Sequence, residues 1–183
     1  MHHIVSDGWS RGVLVREIAA YYRHITKGEP LQLPNLPIQY ADFSSWQRKW
    51  LEGDHSQNQL DYWRGQLDGY PPELSLPTDR PRPPAQSFKG GSVRFEIDAE
   101  TTAHLRDLCK RSDATMYMVL LSVFNLLLYR YTEQEDIVVG SPIANRNHDE
   151  LEPLIGFFVN TLALRTDLSG NPSFRELIGR VQK

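Results

Sequence analysis

Six of the twelve prolines in this 183-residue chain fall between positions 71 and 84, as Pro71-Pro72, Pro77, Pro81 and Pro83-Pro84. Proline fixes φ and has no N–H to give to a helix or a sheet ladder, so no continuous element can run through this stretch. Residues 71–92 therefore read as an extended connector, with a separate lobe on either side. Gly90-Gly91 at its end reads as a turn, because no GxGxxG pattern and no P-loop pattern surrounds it.

Before the connector the pattern is helical. Ser10 is placed to cap a helix that runs to about Lys27, with Leu14, Ile18, Tyr21 and Ile25 on one face and Gly28 then Pro30 as the stop. A proline-punctuated loop, 30–37, leads to two amphipathic helices. These are Tyr40 to Leu51 and Gln57 to Leu67, separated by Gly53-Asp54, the second presenting Leu60, Trp63 and Leu67 together. Tyr40, Phe43, Trp46, Trp50, Tyr62 and Trp63 recur at helical spacing without interleaved basic residues, which reads as core rather than a base-stacking surface.

After the connector, elements alternate. Ser92 to Ile97 alternates polar and apolar as a half-buried strand does, and Asp98 opens a helix to about Arg111. Thr115 caps a longer helix to about Tyr131. Asp136 to Gly140 reads as a buried strand, Phe157 to Arg165 as a further β-rich run, and Pro172-Ser173 as the start of a terminal helix. Strands alternating with helices place the chain in the α/β class.

Charge narrows the partners. With 20 basic and 23 acidic residues, for a net charge of −3, the chain has no general attraction for nucleic acid or for an anionic membrane surface, and neither is expected as a partner. The apolar run Met118 to Tyr129 is broken by Ser122 and Asn125 and is too short to span a bilayer. The lone Cys109 forms no intrachain disulfide and fits a reducing cytoplasm. It shares a helical face with Leu105 and Leu108, which makes it a packing residue.

The chemistry concentrates at the amino end, in His2-His3-Ile4-Val5-Ser6-Asp7-Gly8. An imidazole, a carboxylate and a glycine within seven residues outline an acid/base site. On an extended segment the two histidines would face opposite ways, so one acts and the other supports. The same argument breaks up a His-His-Asp metal set, and no metal is expected. An expression tag would not continue into Ile4-Val5 and Asp7-Gly8-Trp9.

MHHIVSDGWS resembles the HHxxxDG motif of condensation domains of nonribosomal peptide synthetases, relatives of chloramphenicol acetyltransferase. Three further blocks follow in family order. Residues Tyr40 to Arg48, YADFSSWQR, are similar to the family's YxDFAxWQR block. Leu76 to Pro81 are similar to its LPTDRPRP linker, and Ile155 to Arg165, IGFFVNTLALR, to its IGxFVNTLxLR block. The resemblance covers essentially the whole chain. It implies a chloramphenicol acetyltransferase-like mixed sheet with flanking helices, here as a partial domain. Residues 1–70 would end the amino-terminal acyltransferase-like half and carry the catalytic loop, 71–92 would connect, and 93–183 would begin the carboxy-terminal half. Met1 resembles the residue that precedes the His pair inside a longer protein, so an internal fragment is expected.

The implied reaction joins an acyl thioester on one carrier domain to the amine of an aminoacyl group on another. An α-amine with a pKa of about 7.7 to 8.0 is mostly ammonium at neutral pH, whereas an imidazole titrating near about 6.5 can accept or relay a proton there. The resemblance assigns His3 as the catalytic group, either as general base or by positioning the amine. His2, Asp7 and Gly8 support it, and Asp7 is expected to pair with an arginine, for which Arg146 is the candidate. Trp9, Asn160 and Thr161 are candidates for the substrate tunnel.

No cofactor is expected to bind directly. The implied partners are upstream and downstream peptidyl carrier domains with their phosphopantetheine arms, and an adjacent adenylation domain. The intact His2 argues against heterocyclisation, and Ser6 to Ser10 look most like domains that condense onto an L-configured donor. Three alternatives stay open: a non-catalytic remnant or carrier-binding module, an epimerisation domain, and a coenzyme A-dependent acyltransferase.

Overall fold

The computed structural model describes residues 1–52, 54–70, 73–81 and 83–183, without the side chains of Asp54 and His55. Gly53 of the expected inter-helix break, and Pro71, Pro72 and Arg82 of the connector, lie outside the described residues. The chain forms two compact units, Met1–Asp68 with Gly140–Ala163, and Gly69–Val139 with Leu164–Lys183. Residues 140–163 therefore pack with the amino-terminal segment, whereas the expected segments 1–70, 71–92 and 93–183 follow the order of the chain.

The first unit begins with a single 3-10 turn, His3–Val5, and then α1 (Gly8–Lys27), α2 (Tyr40–Leu51) and α3 (Asp54–Leu67). Asp7, not Ser10, caps α1: its side chain accepts the Ser10 N–H, and Ser10 is already the third residue of the helix. Gly28 ends α1 in the left-handed region at φ 68°, where a Cβ would be strained.

The face that α1 turns inward is not the expected one. Val13 is buried, whereas Ile18, Tyr21 and Ile25 are exposed. Phe43 of α2 is buried with Leu151, Leu154 and Phe158, and Leu36, Ile38 and Tyr40 pack against that cluster. Among the six aromatics expected in the core, Phe43 is enclosed and Tyr40 and Trp63 are half-buried, but Trp46, Trp50 and Tyr62 stay exposed. Trp46 and Trp50, one helical turn apart, stack on each other at 6.1 Å instead. Leu60 and Leu67 of α3 are exposed as well.

The second unit carries α4 (Ala99–Arg111), α5 (Met116–Thr132) and α6 (Phe174–Val181), started by the side chains of Asp98, Thr115 and Ser173. Leu128, Ile137, Leu168 and Leu177 form one cluster, and Cys109, Val119 and Ile178 a second, which places Cys109 in packing. Gln134 ties the connector down, taking the Ser75 N–H at 2.7 Å and donating to the Glu73 carbonyl at 3.2 Å.

Strands β1 (Asp136–Ile143) and β2 (Asn160–Asp167) pair as a two-stranded sheet. Leu168 N–H donates to the Glu135 carbonyl at one end and Thr161 packs against Gly140 at the other, so the strands run antiparallel.

The strand expected at Ser92 to Ile97 does not form. Val93 and Phe95 are 91% and 82% exposed, because alternation makes a strand only where a partner supplies its hydrogen bonds. Nor is there a turn at Gly90-Gly91; the positive φ nearby belongs to Phe88, at 56°. Among the described residues no single helix is long and apolar enough to cross a membrane.

Candidate functional site

The site is built around a buried carboxylate. Asp7 Oδ1 accepts the Ser10 N–H at 2.8 Å and the Ser10 hydroxyl at 2.7 Å, and Oδ2 accepts the Phe158 N–H at 3.1 Å. Arg146 closes the arrangement with Nη2 3.3 Å from Asp7 Oδ1, the two side chains being 1% and 3% exposed. Burial pushes the Asp7 carboxyl upward, but the bonds from Ser10 and Phe158 and the Arg146 charge outweigh it and bring its pKa down to about 2. The amino end of α1 is thus occupied by the protein's own carboxylate.

Arg146 uses its other amino group on the carbonyls of Leu151 and Leu154, and its guanidinium lies 4.0 Å from the centre of the Phe158 ring. Burial lowers its pKa from the ordinary value, and the Asp7 charge opposes that shift. The loop 146–158 is thereby folded over one cation.

Ser10 is fully buried and sits where these groups meet. Its hydroxyl accepts from the Gly156 N–H at 3.1 Å and from Arg146 Nη2 at 3.0 Å. It has one proton and two acceptors in reach, Asp7 Oδ1 at 2.7 Å and the Gly156 carbonyl at 2.8 Å. On the other side of Gly156 the Tyr40 ring fills the space a Cβ would need, and the Tyr40 hydroxyl donates to the Phe157 carbonyl at 2.9 Å.

The two histidines are separated by a turn rather than by strand alternation. His2 is extended and caps the 3-10 turn, its Nδ1 accepting the Ile4 N–H at 3.1 Å. His3 lies within the turn, with Nδ1 3.1 Å from the Ser6 carbonyl. A carbonyl only accepts, so that contact fixes the proton on Nδ1 and leaves the Nε2 lone pair available. The His3 ring also meets Phe157 edge-on, centroids 5.8 Å apart at 68°. Both histidines are exposed, while Ser6 and Asp7 beneath them are buried.

The remaining candidates divide. Gly8 opens α1 and leaves open space where a side chain would be. Trp9 donates its indole N–H to the Glu152 carbonyl at 2.9 Å and lies 5.8 Å from the Arg146 guanidinium, so it braces the loop. Asn160 takes the Thr161 N–H and lines a cavity of about 580 Å³ with Trp46, Trp50 and His148, and Thr161 packs on Gly140. Neither residue is brought to the His3 loop by these contacts.

Among the described residues no three His, Cys, Asp or Glu side chains converge as a metal site. Ser10, Tyr40, Gly156, Phe157 and Phe158 escape the sequence reading as site residues. Partners 117 to 151 positions apart leave no local spacing to find them by.

A linear gramicidin synthase of Brevibacillus parabrevis is 54% identical over all 183 residues, which span 4% of that protein. Phosphinothricin tripeptide synthetase PhsC of Streptomyces viridochromogenes is 46% identical over 182 residues, 17% of its length. Among solved structures, the complex of the X-domain and OxyB from teicoplanin biosynthesis matches the whole chain with a TM-score of 0.90 and 34% identity, over 41% of that chain. The sequence profile described as Condensation domain matches residues 1–183 from end to end, and the chain belongs to that family.

Proposed function

We propose that this chain carries the His3 loop of a domain that forms peptide bonds in nonribosomal peptide synthesis. The donor is an acyl or peptidyl thioester, L-configured, and the acceptor an aminoacyl group. Each is presented on the phosphopantetheine arm of a carrier domain, with an adenylation domain adjacent. The observation that carries the reading is the Nδ1 contact of His3 with the Ser6 carbonyl, which holds Nε2 as the acceptor of a proton.

In this reading the amine attacks the thioester carbonyl while His3 Nε2 takes or relays the ammonium proton. The C–S bond then breaks, the thiolate leaves on the donor carrier, and a proton returns to it. Asp7 and Arg146 hold the loop and touch no reactant. Asn160 and Thr161 belong to the substrate tunnel together with Trp9. The first 70 residues close one acyltransferase-like half and residues 93–183 open the other, so the 183 residues alone have negligible condensation activity.

The test is His3→Ala in a full-length synthetase carrying these residues, with loaded donor and acceptor carriers. A loss of about 10²- to 10⁴-fold in product formation with carrier loading intact is expected. Turnover at the parent rate would overturn the reading.

A second reading is a protein-docking module, favoured by the 34% identity to an X-domain whose structure was solved in complex with OxyB. Binding of a carrier domain without product, in a protein whose His3 is intact, would select it.

A further inference from the structure

His3 has one restraint in its hydrogen bond to Ser6, and a single bond leaves the ring free to tilt about the Nδ1···O line. From Gly156 to Phe158 the chain alternates buried, exposed, buried, so Phe157 points away from the cluster that takes in Phe158. A phenylalanine 42% exposed between two enclosed neighbours forgoes burial, and what it meets instead is the His3 ring.

Its backbone is held from both sides. The Phe157 carbonyl accepts from Tyr40, the Gly156 N–H donates to Ser10, and the Phe158 N–H donates to Asp7. A side chain on so fixed a segment acts as a stop.

We infer that Phe157 is a positioning residue for the reaction. Its edge-on contact with the imidazole supplies the second restraint that, with the Ser6 carbonyl, aims His3 Nε2 at the attacking amine. The inference rests on the catalytic reading of His3. It adds a residue that touches no reactant and acts through the histidine alone.

The experiment is a double-mutant cycle in a full-length synthetase carrying these residues, read as steady-state product formation at varied concentrations of the loaded carriers. Phe157→Leu keeps an apolar side chain of similar reach and removes the ring. It should lower kcat by about tenfold and leave KM for both carriers within about twofold, and Phe157→Tyr should restore kcat. In a His3→Ala background the same Leu substitution should cost nothing further in the residual rate.

Parent kcat in Phe157→Leu, or an equal loss in both backgrounds, overturns the inference while the His3 reading stands. Parent turnover in His3→Ala overturns the reading itself, and that result is seen in a variant where Phe157 is untouched.

Discussion

Asp7–Arg146 in the first unit and Asp136–Arg165 in the second are both aspartate–arginine pairs, and the two differ in almost everything except chemistry. In the second unit Arg165 grips Asp136 at 2.6 Å with its side chain 24% exposed and that of its partner 32% exposed. In the first, Arg146 lies 3.3 Å from Asp7 and both are enclosed. The shorter bridge is the weaker constraint. Water competes for both ends of Asp136–Arg165, whereas Asp7 and Arg146 have no other solvent and hold each other together with Ser10, Gly156 and Phe158. Enclosure, rather than distance, decides which pair a site can be hung on.

The comparison breaks most readily at Asp7. Asp7→Ala leaves a buried guanidinium unpaired and should cost about 3 to 5 kcal/mol in denaturant unfolding. Because the loop beneath His3 loses its anchor, activity should fall with it. An Asp7→Ala protein as stable as the parent would place the enclosed pair in the same class as the open one.

Ser10→Ala comes next. It removes the acceptor of the Gly156 N–H and of Arg146 Nη2 in the interior and should cost about 3 kcal/mol, at roughly 1 to 3 for each buried group. Ser10→Thr retains the hydroxyl and separates hydrogen bonding from packing.

Acid titration sharpens the contrast further. The Asp7 carboxyl is held near 2 in the fold, against 3.8 for the ordinary group. Its depressed pKa therefore contributes about 2 kcal/mol that is present in full above about pH 4 and is lost as pH falls from 4 toward 2. Stability measured across that window should lose this contribution in the parent and not in Asp7→Asn.

The smallest effect belongs to the open pair. Asp136→Asn should cost about 1 kcal/mol or less, and added salt should reduce that difference while leaving the Asp7 effects nearly unchanged.

How far the sequence can be read follows the range of the interactions. Asp98, Thr115 and Ser173 declare α4, α5 and α6 because a cap bonds to an N–H only three residues on. The cap of α1 lies three residues before the expected one, since Asp7 and Ser10 are both good capping types and only the Ser10 bonds to residues far along the chain decide between them. Ser92 to Ile97 fails for the same reason: a strand is a property of two segments, and its alternation says nothing about whether a partner arrives. Periodicity likewise finds an apolar stripe on α1, but Val13, outside it, is what packs inward. At the site, His3 and Asp7 are legible because the motif is contiguous. The resemblance calls for an arginine opposite Asp7 without saying which, Arg146 is only a candidate until the fold brings it there, and Phe157 comes from neither.

The Tyr40 ring lying against Gly156 sets a limit on how this molecule can vary. Position 156 has no volume to spare, so any side chain there demands a smaller residue at 40. A smaller residue at 40 removes the hydroxyl that holds the Phe157 carbonyl. Substitution at either position alone is a loss, and substitution at both exchanges a steric fault for a missing bond. In a saturation library the two sites should behave as a single locus with almost no tolerated alternatives, although they stand 116 positions apart in a chain that shows no spacing to connect them.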